Sequence, residues 1–323
     1  MAVGAVGGAL VVGCSTDRPA GDAALTASTL VDDAASPGSL TATTQGSDAG
    51  VPPEPTVSTD GATTTAAASS ASSESGSGSG STGAGADGGA TPAPEWIGQR
   101  TLPTTPVGRV VPQTTPEELV GRRFVTVDLL APPDDDTFVA DIAAVDADTL
   151  ARSTWEPGCP VEPEELSYLT MTFWGFDGKP HTGEMLVNAE VASDIVAVFE
   201  RLFDARFPIE EMRIVTRADL DAPPTGDGNN TTAFVCRPVT GGTSFSEHAF
   251  GLAIDINPFH NPYQRNDIVL PELATYYLDR QLGQPGMVVS GDVVVEAFAS
   301  IGWPWGGDWT SLKDYQHFSR SGR

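Results

Sequence analysis

Four histidines occur in this 323-residue chain, and two of them stand in segments that also carry aspartates. The segments are Ser246-Glu247-His248-Ala249-Phe250-Gly251-Leu252-Ala253-Ile254-Asp255-Ile256-Asn257 and Asp314-Tyr315-Gln316-His317-Phe318. His248, Asp255 and His317 make a ligand set for one zinc ion. Three protein ligands with a fourth position left open describe a catalytic zinc rather than a structural one. Asp314, three residues before His317, adds a carboxylate able to take a proton from an attacking water. The chemistry these residues predict is metal-dependent hydrolysis.

Spacing constrains how the chain must present them. On a helix, His248 and Asp255 would share a face but lie about 10 Å apart along the axis, too far for one ion with bonds near 2 Å. The chain must turn between them, and Gly251 can do so freely. Leu252 to Ile256 reads as a short buried strand closed by Asn257-Pro258, so His248 is expected on a turn and Asp255 at a strand end. Asp314 and His317, at i and i+3, would share a face if the chain made one helical turn there. Asp314 as the cap of that short helix is the competing reading. His260, in a Pro-rich turn, is expected near the ligands or on the surface, and His181 in a hairpin turn.

Other hydrolytic and nucleotide chemistries lack their residues. The chain has two lysines, and Phe176 and Thr310 stand three before them, so no Ser-x-x-Lys motif exists. There is no His-Glu-x-x-His helix and no Gly-x-x-x-x-Gly-Lys loop. A formal charge of −26 disfavours binding to a nucleic acid backbone.

The string Ser246-x-His248-x-x-Gly251-x-Ala253-x-Asp255-Ile256-Asn257, the run Gly302-Trp303-Pro304-Trp305-Gly306-Gly307-Asp308-Trp309 and Asp314-x-x-His317-Phe318 resemble the zinc D-alanyl-D-alanine carboxypeptidases, a family that includes VanY-like carboxypeptidases and L-alanyl-D-glutamate endopeptidases. The resemblance spans roughly the last 165 residues. It implies one Zn2+ on His248, Asp255 and His317, Asp314 as general base, and peptidoglycan stem peptides as substrate. It also implies an arginine that steadies the substrate carbonyl, and Arg237 is the matching residue. Many relatives carry a glutamate after the His-Phe pair, where this chain has Ser319. A catalytically inactive zinc-fold protein that binds the cell wall is the rival expectation; Asp314 and Arg237 favour the enzyme. Trp303, Trp305 and Trp309 read as a packed floor, with Gly306-Gly307 allowing close backbone approach.

The elements that must position these residues follow from hydrophobic pattern. Leu166–Phe173 and Gly183–Ala189 read as strands joined across Gly175-Phe176-Asp177-Gly178. Ile195, Val198, Phe199, Leu202 and Phe203 recur at helical spacing, Met212–Val215 reads as a strand, and Val293–Ile301 as a helix between Asp292 and Gly302. Without regular βαβ alternation this is an α+β domain: a small mixed or antiparallel sheet with packed helices. The resemblance implies the zinc fold of Hedgehog domains and D-Ala-D-Ala peptidases. Residues 103–323 are assigned to this domain, with a catalytic core of about 160–323. Within it 103–153 is hard to read, and Asp134-Asp135-Asp136 is expected to be a solvated loop.

Residues 1–14 form a short apolar run ending in Val-Val-Gly-Cys that resembles a bacterial lipobox, with Cys14 as the lipidation site. A conventional secretory signal or chance composition is the alternative. The run is too short to span a bilayer, and the basic residues that precede such a core are missing, which points to a start further upstream. Residues 15–102, rich in Ala, Gly, Ser, Thr and Pro, have too little apolar content to fold and would serve as a tether spanning roughly 50 Å as a coil. Cys159 and Cys236, an even pair in an exported chain, read as one disulfide, with two buried thiols as the alternative. The expected protein is a monomer outside the cell, secreted or held at the membrane's outer face through the lipid alone.

Overall fold

The structure is a computed structural model that describes residues 89–105, 110–239 and 242–323. Cys14, the apolar run and the tether up to residue 88 lie outside the described residues.

Strands β1 (Ala140–Ala144), β2 (Leu166–Trp174) and β3 (Pro180–Asn188) form an antiparallel meander. Helix α1 (Ala147–Arg152) bridges β1 and β2, and β2 and β3 pair along their full length from Leu166↔Asn188 to Trp174↔Pro180. Period-two alternation explains why the central strands read as apolar almost throughout. Leu169, Met171, Phe173, Met185 and Val187 face the main core, whereas Leu166 and Leu186 join Phe234, Ile214 and Cys236 in a separate cluster. Helix α2 (Ala192–Asp204) covers the main-core face with Ile195, Val198, Phe199, Leu202 and Phe203, the side chains its spacing singled out. Each contributes about 2 kcal/mol by leaving water.

Beyond α2 come β4 (Glu211–Met212), α3 (Arg217–Asp221) and β5 (Asn230–Thr231), with β4 and β5 paired in parallel. The predicted strand at 212–215 is thus shorter and begins one residue earlier. The C-terminal part holds β6 (Ala253–Asp255), β7 (Tyr263–Arg265), β8 (Ile268–Leu270), α4 (Val293–Ser300), β9 (Lys313–Asp314) and β10 (His317–Ser319). β10 pairs with β6, and β7 lies between β8 and β9. Asp292 caps α4 by accepting from the backbone N–H groups of Val294 and Val295, and Gly302 follows at φ +78°, as the capping rules require. Helices mixed with small, mostly antiparallel sheets make an α+β architecture.

The boundary expected at residue 103 falls too late. Leu102 is buried with Leu119, Phe124, Phe259, Leu273 and Tyr277, and Trp96 and Ile97 pack against the same cluster. Thr91 donates to the Arg123 carbonyl (2.9 Å), and the backbone N–H of Gly98 donates to Asp227 (3.0 Å). A few large apolar residues suffice to dock a segment whose composition is otherwise tether-like. In the stretch that resisted reading, Arg122 is buried and paired with Glu210, and it also donates to the Asp227 carbonyl. Asp134 to Asp136 are exposed, as expected.

His260 is neither at the ligands nor on the surface. It is fully buried, stacks on Phe176 at 4.9 Å and bonds to the Arg122 carbonyl at 2.9 Å. Burial pushes its pKa down to about 3, so it is a neutral core residue. His181 is the second residue of β3, not a turn residue, and is buried between Asp128 and Asp177.

Cys159 and Cys236 are joined, with 77 residues of sequence separation. The bond ties the segment entering β2 to the one that carries Arg237. Restricting an unfolded loop of that length is worth about 2–4 kcal/mol. Replacing both cysteines by serine should lower stability by that amount, measured as a reduced urea midpoint at unchanged slope. An unchanged midpoint would contradict the structural role.

Candidate metal centre

The site is built outward from the free edge of β3. The backbone N–H of Phe234 donates to the Leu186 carbonyl (3.0 Å), and Thr232 exchanges two hydrogen bonds with Asp255. This seats Ala233 to Arg237 between the meander and β6. His248 lies on a 3₁₀ turn, Glu247–Phe250, whose cap Ser246 accepts from the His248 N–H. Gly251 ends the turn at φ +67°. A Cβ there would lie 2.5 Å from the backbone nitrogen of Asn188, so both conformation and space demand glycine. The chain then enters β6, whose last residue is Asp255.

His317 is the direct cross-strand partner of Asp255 in the β6–β10 pair, which sets the carboxylate and imidazole side by side. Asp314 and His317 do not share a helical turn. They sit on separate strands, β9 and β10, joined through Tyr315 and Gln316. Pairing with β7 and β6 overrides the local preference for a turn of helix, and with no helix there is none for Asp314 to cap. The link is pinned where Ile256 N–H donates to the Gln316 carbonyl (2.9 Å) and the Trp305 indole donates to Tyr315 (2.8 Å).

The three predicted ligands converge. His248 Nε2 lies 3.3 Å from His317 Nδ1 and 3.2 Å from Asp255 Oδ1, and His317 Nδ1 is 3.1 Å from Asp255 Oδ1. Ligands about 2.0–2.1 Å from a tetrahedral ion stand about 3.3–3.4 Å apart, so the spacing fits one small cation. The outer nitrogens are already engaged. His248 Nδ1 is 2.6 Å from the Ala233 carbonyl, and His317 Nε2 is 3.0 Å from the main-chain oxygen of Arg323. Only an N–H can satisfy a carbonyl, which leaves a lone pair on each inner nitrogen. Nitrogen, nitrogen and carboxylate oxygen therefore meet as three electron donors, an arrangement that calls for a positive charge among them.

Electrostatics point the same way when protons alone balance the cluster. Burial opposes ionisation of Asp255, yet the two histidines hold its carboxyl well below the usual range. Burial also opposes charge on His317, but the hydrogen bond and charge of Asp255 outweigh it and raise His317 to about 9. Asp314 is pushed up to about 7 by burial and then by the charge of Asp255. Its Oδ1 is buried with no hydrogen-bond partner among the described residues. Gly306 packs directly on it: a Cβ at Gly306 would lie 2.5 Å from the Asp314 carbonyl oxygen.

A cleft of about 480 Å³ opens onto the cluster, and Arg237 and Asp314 both line it. Arg237 is half-buried, and among the described residues its guanidinium makes one hydrogen bond, to the Pro238 carbonyl. Trp303 and Trp305 are buried in the main core, while Trp309 lines the cleft with its ring 5.5 Å from that of His317. Reading by sequence missed Tyr263 and Arg265, which also line the cleft. Both lie on β7, where alternation places them on one face. It also missed the two main-chain acceptors, which no side-chain pattern announces.

Replacing Gly251 by alanine should cost at least about 2 kcal/mol, because the residue would combine a left-handed conformation with a backbone clash. Thermal unfolding would read this as a clear fall in Tm; a wild-type Tm would show that the turn before β6 is not constrained as described.

No curated protein and no solved structure matches this chain. Residues 240–320, the segment that carries His248, Asp255, Asp314 and His317, match the family model described as D-alanyl-D-alanine carboxypeptidase.

Proposed function

We propose that this chain is an extracytoplasmic zinc peptidase that hydrolyses peptide bonds in peptidoglycan stem peptides. The observation that carries the reading is the convergence of His248 Nε2, His317 Nδ1 and Asp255 Oδ1 within 3.3 Å, with both outer nitrogens tied to main-chain oxygens. The family match over the same residues supports a carboxypeptidase-like peptidase. The small sheets and packed helices are compatible with the zinc fold shared by Hedgehog domains and these peptidases.

His248, Asp255 and His317 would hold the ion, which supplies Lewis-acid activation of water and of the scissile carbonyl. Two neutral imidazoles and one carboxylate leave such a site with net positive charge. Asp314 presents a buried oxygen with no hydrogen-bond partner among the described residues, and it would accept the proton of the attacking water and return it to the leaving amine. Arg237 spends one N–H on Pro238, and its other donors, without a hydrogen bond among the described residues, would serve the oxyanion that forms as the carbonyl is attacked. Arg265 and Arg323 also line the cleft. These arginines set three cationic groups beside the carboxylates of Glu247, Asp255 and Asp314, where they could pair with peptides that bear carboxylates.

The Cys159–Cys236 bond supports an oxidising compartment. Lipid attachment at Cys14 would hold the enzyme at the outer face of the membrane. Among the described residues no helix is long and apolar enough to cross a membrane.

Asp314→Asn should retain one zinc per chain and lose at least about 10²-fold in hydrolysis of purified peptidoglycan. Wild-type turnover in that variant would remove Asp314 from the mechanism. Mass spectrometry of the wild-type digest, with and without a chelator, identifies the bond. Release of a terminal D-alanine marks a carboxypeptidase, and separation of L-alanine from D-glutamate marks an endopeptidase. Intact peptidoglycan under all conditions would favour the non-catalytic binder.

A further inference from the structure

His317 depends on a main-chain oxygen four residues beyond the strand pair that positions Asp255, and something must hold that oxygen in place. β10 places His317 and Ser319 on the same face, two residues apart. Ser319 is completely buried at the end of the strand. Its hydroxyl donates to the main-chain oxygen of Arg323 (3.0 Å) and accepts from the Arg323 backbone N–H (3.1 Å). That same oxygen receives the His317 Nε2–H at 3.0 Å. Ser319 thus grips both main-chain groups of one residue and leaves its oxygen aimed at the imidazole.

The return of the chain is shaped for this contact. The Gly322 N–H donates to the Ser319 carbonyl (3.2 Å), and Gly322 adopts φ +74°, a left-handed conformation that closes the turn. A Cβ at Gly322 would lie 3.2 Å from Pro304, so the turn is also seated against the wall of the fold. Arg320 anchors the other side, its backbone N–H donating to Leu252 at the start of β6.

We propose that Ser319 is a positioning residue: with the main chain of Arg323 it fixes the tautomer and ring orientation of His317, and so sets how tightly the centre holds zinc. This rests on the metal reading of the site given above. A histidine ligand whose outer N–H is held by an acceptor keeps the inner lone pair in place, and loss of such a partner weakens metal binding about 10- to 100-fold. The side chain of Arg323 plays no part in the bracket.

The test is zinc affinity of the full chain, measured by competition with a chelator, on four proteins. Ser319→Ala and a chain lacking Arg323 should each bind zinc about 10- to 100-fold more weakly than wild type. Arg323→Ala retains the main chain and should bind within about twofold of wild type. Nitrogen-15 NMR of the zinc-loaded wild type should show His317 protonated at Nε2, with faster exchange of that proton in Ser319→Ala. Wild-type affinity in both Ser319→Ala and the shortened chain overturns the proposal. So does an equal loss in Arg323→Ala, or zinc on Nε2 of His317. If Ser319→Ala does not fold, the shortened chain decides, since Arg323 is exposed. A wild type that binds no zinc refutes the metal reading as well, and is thereby distinguished from failure of the bracket alone.

Discussion

Two inner imidazole nitrogens and a carboxylate oxygen packed against one another, with both outer nitrogens committed to main-chain oxygens, are the constraint around which this domain is organised. Two imidazole lone pairs and a carboxylate oxygen at 3.1–3.3 Å repel unless a cation lies between them. Protons can relieve the conflict only by charging a buried histidine against its own desolvation. A divalent ion relieves it more completely. The main-chain oxygens of Ala233 and Arg323 orient the rings, as carbonyls commonly do behind histidine ligands.

Each donor is delivered by a different kind of local structure, and the meander is the common foundation. Gly251 allows the His248 turn to press against the end of β3. Register in the β6–β10 pair sets Asp255 opposite His317, and a slip of one residue would send both side chains to the wrong face. The disulfide fixes the segment before Arg237. Stability of the core and geometry of the centre are thus coupled: the residues that bury β3 also locate the three donor side chains.

Much of this was legible in the chain itself, for definite reasons. The seven-residue gap between His248 and Asp255 is too long for a helix and too short for independent elements, so a turn followed by a strand was the solution left. Helix α2 announced itself through five apolar residues at helical spacing. The cysteine pair was readable because the chain was expected to be exported, a setting in which an even number of cysteines has few other uses. Where the reading failed, long-range pairing or packing was responsible. Asp314-x-x-His317 has the spacing of a helical turn, but β7 and β6 claim its two ends as strands. His260 looked peripheral because its Pro-rich surroundings suggest surface, whereas Arg122, Phe176 and Tyr277 arrive from distant parts of the chain to bury it. Residues 89–102 resemble the tether in composition, and Leu102 belongs to a cluster drawn from far downstream. The main-chain acceptors behind the histidines carry no side-chain signature at all.

The central claim is that His248, Asp255 and His317 share one ion. The most direct measurement is the zinc content of the purified chain, by elemental analysis after exhaustive dialysis, for wild type and His248→Ala side by side. The account predicts about one zinc per wild-type chain and essentially none in a variant that remains folded. Equal zinc in the two proteins, or none in either, would contradict it.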